Sequence, residues 1–228
     1  MSAPRSVVEA LVFDLDGTIA DTESVEYDAI RRVWADHGID YPIERWSQVV
    51  GQAWSPSWVT ELADEAGADP EASRAAKRAY HDELLAALVL RPGVAALIAA
   101  AGDADIPLAI ASNSDSGWVE GVLEQLGLLS HFLAVTTIDR VAQGKPHPEP
   151  FLAACRRLGA RPERSVAFED SATGVASAVA AGLYTVACPG PLTVGHDVGA
   201  ADLVVTSLEA VTLASLAAAV ADRAGGPT

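Results

Sequence analysis

Six short apolar runs constrain this chain more than any other feature: 6–14 "SVVEALVFD", 107–112 "PLAIAS", 133–137 "LAVTT", 165–170 "SVAFED", 184–188 "YTVAC" and 203–205 "LVV". Most show no clean alternation of apolar with polar residues. A strand with one wet face alternates, whereas a parallel strand covered on both faces does not. Helical patterns lie between the runs. In 115–127, Val119, Val122, Leu123 and Leu126 recur at helical spacing, and Gly127 can close the end. Segment 171–182 offers Ser171 as an N-cap and Gly182 just past the last turn, and 148–159 behaves alike. Strand, helix and strand repeated in this way predict right-handed crossovers and a three-layer, doubly wound, Rossmann-like α/β fold around a parallel sheet.

One interval breaks the alternation. Roughly 75 residues of helical signal follow the first run, far more than an ordinary strand-to-helix connection. Ile30, Val33, Trp34 and His37 fall on one helical face, Ser55-Pro56 and Asp69-Pro70 pair an N-cap with a first-turn proline, and Gly38 and Gly67 mark stops. "LRPGV" at 90–94 returns the chain to the sheet. The expected organisation is an α/β core from 1–20 and 91–228, with a helical unit, 21–90, inserted over the strand ends.

Composition narrows the functional classes. With 228 residues, half of them hydrophobic, the chain is long enough to bury a sizeable core. A net charge of −16 offers no basic stripe for nucleic acid, although local positive charge can still hold a small anion. Cys155 and Cys188 both sit in apolar surroundings, which argues against a disulfide and for a reducing compartment. No basic-then-apolar leader follows Met1, and no run approaches the ~18 apolar residues of a membrane span. The expectation is a cytoplasmic protein, with no membrane or protein partner inferred.

Ligands of an open parallel sheet bind beyond the carboxyl ends of its strands. The first run ends in Asp14 with Asp16 beyond it, the second in Ser112-Asn113, and the fourth in Glu169-Asp170; "GKPHPEPF", with Lys145, lies past the third. Asp14 and Asp16 are two apart, so at a strand end their side chains leave on one side. Carboxylates in proximity repel unless a cation or a shared proton compensates. Clustered oxygen ligands suit Mg2+, which keeps positions for water and phosphate. On its own Asp16-Gly17 reads as a tight turn. The convergence of Asp14, Ser112, Lys145 and Asp170 at one sheet edge makes it part of a site.

"FDLDGT", "ASNS", "GKPHPEPF" and "VAFEDSATGVASAVAAG" resemble, in order and spacing, the four motifs of the haloacid dehalogenase-like hydrolases. The likeness spans essentially the whole chain, including the inserted helical cap of the subfamily that contains β-phosphoglucomutase. It implies that Asp14 is a nucleophile forming an aspartyl-phosphate, already ionised at neutral pH. Asp16 would protonate the leaving oxygen and later deprotonate water. Asp14, Asp170 and the backbone carbonyl of Asp16 would hold Mg2+, with Glu169 as a direct ligand or a partner of metal-bound water. Ser112 and the Asn113 amide would hold the phosphoryl group, and Lys145 would balance both it and the nucleophile.

The substrate would be chosen by the cap, through Glu23 and the "GQAWS" loop with Gly51, Gln52 and Trp54, whereas Trp58 reads as packing. Asp21 reads as the structural entrance to the cap. His147 reads as a loop residue, and His81, His131 and His196 as structural. The mutase carries a histidine where this chain has Glu26, a cap-loop arginine that "GQAWS" lacks, and a lysine where Asp115 stands. The likeness is therefore closer to the Mg2+-dependent phosphatases of small phosphorylated metabolites, sugar phosphates among them. The alternatives are a hexose-phosphate mutase and a phospho-ligand or acyl-phosphate signalling module without turnover.

Overall fold

The first apolar run pairs over only part of its length. In the computed structural model, which describes residues 7–47 and 58–224, β1 spans Ala10–Phe13. Upstream, Val7 is exposed and Glu9 is taken up by the Arg161 guanidinium and backbone, so the ladder starts later than the hydrophobicity does. The other strands are β2 (Leu108–Ala111), β3 (Phe132–Thr136), β4 (Ser165–Glu169), β5 (Tyr184–Ala187) and β6 (Leu203–Val204). All neighbours are parallel, in the order β3-β2-β1-β4-β5-β6. The expected doubly wound sheet is the one the chain forms.

Apolar residues on both sides of each central strand explain the two helical layers. Leu11, Phe13, Val166 and Phe168 enter one core, with Phe13 stacked on Phe168 at 4.4 Å between ring centroids. That face is covered by α5 (Val94–Asp103), α6 (Ser116–Gln125) and α9 (Leu213–Ala224). Val12, Ala109 and Ala167 face the other way, where α7 (Glu149–Leu158) and α8 (Ala172–Ala180) pack. The small side chains on this second face let those helices approach closely.

Between β1 and α5 run α1 (Thr22–Asp36), α2 (Ile43–Ser47), α3 (Trp58–Ala66) and α4 (Pro70–Leu85). They bury a cluster of their own that includes Trp34, Tyr41, Trp46, Trp58 and Leu62, so Trp58 packs. Asp21 caps α1, accepting from the Ser24 amide at 3.2 Å, and Asp69 caps α4 through the Ala72 amide at 2.7 Å, with Pro70 opening the helix. His37, expected on one helical face with Ile30, Val33 and Trp34, follows the last residue of α1 as its C-cap and is exposed. The Ser55-Pro56 start signal lies outside the described residues. No helix among the described residues is long and apolar enough to cross a membrane.

Candidate active site

Parallel strands end at one edge, and each central strand brings a polar residue there. Asp14 directly follows β1, Ser112 follows β2, and Glu169 and Asp170 close β4. Lys145 comes from the loop between β3 and α7, and Asn113 ties that loop to the β2 end. The Asn113 Nδ2 donates to the Lys145 carbonyl at 3.1 Å, and the Lys145 amide donates to Asn113 Oδ1 at 2.7 Å. The held ammonium of Lys145 donates to Asp14 Oδ1 at 2.6 Å and to Glu169 Oε1 at 2.5 Å.

Asp14, Glu169 and Asp170 are all buried, and one carboxylate oxygen from each lies within 4.8 Å of the others. Burial pushes the Asp14 carboxyl well above the usual carboxylate range; Lys145 opposes this, while Glu169 and Asp16 add to it. Burial and the charges of Asp14 and Glu169 likewise raise Asp170. For Lys145, burial disfavours the charge, but the carboxylates of Asp14 and Glu169 outweigh it and the pKa is raised. One ammonium thus stands against three carboxylates. Among the described residues Asp14 Oδ2 is also buried without a hydrogen-bond partner, a need that a hard cation would meet.

The three carboxylates are not equivalent. Glu169 Oε2 already accepts from the Asp170 and Ser171 amides, at 3.1 and 3.4 Å, and from the Ser171 hydroxyl at 3.2 Å. With Lys145 on its other oxygen, Glu169 is engaged on both sides and anchors the ammonium. Asp14 and Asp170 remain the better donors for a divalent ion, Asp170 Oδ2 also accepting from Thr193 Oγ1 at 3.0 Å. The packing tolerates no extra atoms here. A Cβ at Gly174, in the first turn of α8, would overlap the Glu169 carboxylate; one at Gly17, where φ is +81°, would overlap that of Asp170. Gly174→Ala should therefore lower the thermal midpoint, by overpacking of about 1–3 kcal/mol, and reduce turnover as Glu169 and Lys145 shift; a melt and a rate at saturating substrate check both.

The Asp16 carboxylate lies outside this group. Past Phe13 the chain turns, with the Gly17 amide donating to the Ala20 carbonyl at 2.9 Å, and Asp16 stays near enough for its charge to add to burial in raising the Asp14 carboxyl. The Asp16 oxygens accept from Thr22 Oγ1 (2.7 Å), Ser114 Oγ (2.6 Å) and Trp118 Nε1 (2.8 Å), with Ser112 Oγ at 3.5 Å. The Arg91 guanidinium fastens the same turn, donating to the carbonyls of Gly17, Cys188 and Pro189.

A cleft of about 670 Å³ opens beside Asp16, Asn113, Ser114 and Trp118. Its opposite wall comes from the helices between β1 and α5: Glu23 and Glu26 on α1, Lys77 and His81 on α4. Lys77 pairs with Glu26, and His81 Nε2 lies 3.6 Å from Glu26. His81 thus departs from its structural reading and faces the cleft. Glu23 lines the cleft; Gly51, Gln52 and Trp54 lie outside the described residues. His147 stays in its loop, its Nδ1 accepting from the Glu149 amide at 3.2 Å. Sequence reasoning missed Thr22, Ser114, Trp118, Lys77 and Arg91. Ser114 and Trp118 stand within four residues of Asn113 and Ser114 respectively, so their proximity in sequence was the available signal.

The chain is similar to known proteins in sequence and fold. The sequence model of the haloacid dehalogenase-like hydrolases matches residues 8–182. The fructose-1-phosphate phosphatase YqaB of Escherichia coli is 36% identical over 182 residues, covering 77% of this chain and 94% of that protein. A phosphatase of phosphorylated carbohydrates from Thermotoga maritima is 30% identical over 181 residues, covering 77% and 82%. Among solved structures, CbbY from Rhodobacter sphaeroides in complex with phosphate superposes with a TM-score of 0.70 at 30% identity, covering 88% and 95%. By the extent of the family match and the identity to these relatives, the chain belongs to the haloacid dehalogenase-like hydrolase family.

Proposed function

We propose that this hydrolase is a Mg2+-dependent phosphatase of small phosphorylated metabolites, sugar phosphates among them, working through an aspartyl-phosphate on Asp14. The observation that supports it most is the imbalance at the strand ends: one buried ammonium against three buried carboxylates, with Asp14 Oδ2 unpartnered. The names of the relatives, phosphatases of fructose 1-phosphate and of phosphorylated carbohydrates, support the substrate class.

Asp14 attacks phosphorus, forming an O–P bond as the ester oxygen leaves. Asp16 gives that oxygen a proton, then takes one from the water that attacks the aspartyl-phosphate and releases inorganic phosphate. Ser112 and the Asn113 amide hold the phosphoryl oxygens, and Lys145 balances their charge where the nucleophile sits. Asp14, Asp170 and the Asp16 carbonyl, with Glu169 behind them, would hold Mg2+, which would supply positive charge to offset the negative charge developing on the phosphoryl oxygens. Residues 21–90 act as the cap that selects the substrate, with Glu23, Gly51, Gln52 and Trp54 contributing to it. The two free, buried cysteines fit a cytoplasmic setting. Asp115, at the position of the mutase lysine, caps α6 through the Trp118 amide at 3.0 Å, which favours hydrolysis over mutase chemistry.

A phosphate-release screen over many monoesters, with and without chelator, tests this. Chelator should reduce release to background and Mg2+ should restore it; release indifferent to chelator would refute the metal assignment. Mg2+ at a hundredfold its Kd should add about 2.7 kcal/mol of stability. Burial raises Asp14 and Asp170, so the folded state binds protons more tightly than the unfolded chain. Metal-free stability should therefore fall as pH rises above about 4, and the gain from Mg2+ should grow over the same range.

A further inference from the structure

The indole of Trp118 joins the two walls of the cleft at Asp16. Its ring packs partly on the sheet core and makes a tilted contact with the His81 ring of α4, centroids 5.5 Å apart at 46°, and its Nε1–H donates to Asp16 Oδ1 at 2.8 Å. Thr22, at the start of α1, donates to the same oxygen. An indole N–H can only donate, so Oδ1 is fixed as an acceptor. Oδ2 instead meets the hydroxyls of Ser114 at 2.6 Å and Ser112 at 3.5 Å, and a hydroxyl can donate or accept. The two oxygens of one carboxyl group are therefore unlike: Oδ1 accepts from an obligate donor, the indole N–H, whereas the neighbours of Oδ2 are both hydroxyls.

We propose that Trp118 is a positioning residue for the acid–base group. It pins Oδ1 of Asp16 so that Oδ2 bears the proton delivered to the leaving oxygen, and its seat against His81 aligns the carboxyl with the cap in place. The proton passes from Oδ2 to the ester oxygen as the P–O bond breaks and the bond to Asp14 forms, so charge and atoms balance. This rests on the assignment of Asp16 as acid and base, and goes beyond it by naming what orients the group and which oxygen acts.

Leaving-group dependence tests it. An alkyl phosphate such as glycerol phosphate needs its departing oxygen protonated, whereas p-nitrophenyl phosphate expels a stable phenolate without that help. With Mg2+ present, kcat/KM reports only the steps up to transfer onto Asp14. Trp118→Phe keeps the ring against His81 and removes the N–H. It should lower kcat/KM about tenfold or more for the alkyl ester, and alter it within about twofold for the aryl ester. Equal losses on both esters would reduce Trp118 to packing, and no loss on either would remove it from the mechanism; both overturn the inference. If the Phe variant misfolds, benzothienylalanine at 118, which matches indole in shape without its N–H, gives the same reading. Asp16→Asn run in parallel separates the layers. Selective loss there without selective loss at Trp118 defeats this inference alone, whereas equal loss on both esters at Asp16→Asn defeats the acid–base assignment itself.

Discussion

Asp14→Asn should abolish phosphate release, with a fall in kcat of about 10⁴-fold or more, while leaving the metal-free fold as stable as before or more so. The amide matches the carboxylate in volume, and its oxygen still accepts from Lys145. It cannot attack phosphorus, so chemistry stops. The stability half of the expectation follows from burial. An ionised Asp14 is disfavoured in its pocket, with Glu169 and Asp16 adding repulsion, and a neutral side chain removes one of three buried negative charges. Single-turnover phosphate release and a melt in chelator measure the two halves. Retained Mg2+-dependent turnover would move the nucleophile elsewhere, and a midpoint lowered in chelator would contradict the electrostatic account.

Lys145→Met should do the opposite to stability. Lys145 is 8% exposed and is the ammonium bonded to both Asp14 and Glu169. Removing it strands buried carboxylates, an effect of about 3–5 kcal/mol for a broken buried pair. At about 2–4 °C per kcal/mol for a chain of this size, the midpoint should drop by on the order of 10 °C. Turnover should fall about 10²–10³-fold, because the charge developing on the phosphoryl oxygens loses its fixed partner. Joining the two changes tests whether one imbalance underlies both. Asp14→Asn with Lys145→Met should recover part of the stability lost by Lys145→Met alone, whereas simple addition of the single effects would show that the groups act independently.

The strand ends could be read from the sequence because their logic is local. A run of apolar residues fixes where a parallel strand stops, and the next residue must lie at the sheet edge. Asp14, Ser112 and Glu169-Asp170 were placed that way. Lys145 follows no strand directly, and came from the composition of its loop. What the sequence did not disclose depends on distances between segments far apart in the chain. Trp118 carries no signal of its own in the sequence, and only the packing of α6 brings its indole N–H to Asp16. His81 showed no partner pattern, because the neighbours that bring it to the cleft, Glu26 on α1 and Trp118 on α6, belong to other elements. The spacing of Asp14 and Asp16 says nothing of the partners of Asp16, because strand geometry does not extend past Phe13 and Thr22, Ser114 and Trp118 come from other elements.

The position of β1 bears on how the chain is made. Ala10–Phe13 leaves the ribosome before either of its neighbours, yet it becomes an inner strand flanked by Leu108–Ala111 and Ser165–Glu169. Until those partners are synthesised, its amides and carbonyls have no sheet to join. At about 5–20 residues per second, that interval is on the order of ten seconds or longer. The intervening helices α1 to α4, which bury an apolar cluster of their own, are available to fold in the meantime. A nascent chain released before residue 165 would carry an inner strand with one edge unpaired, an adhesive surface for other chains and for the factors that guard against aggregation.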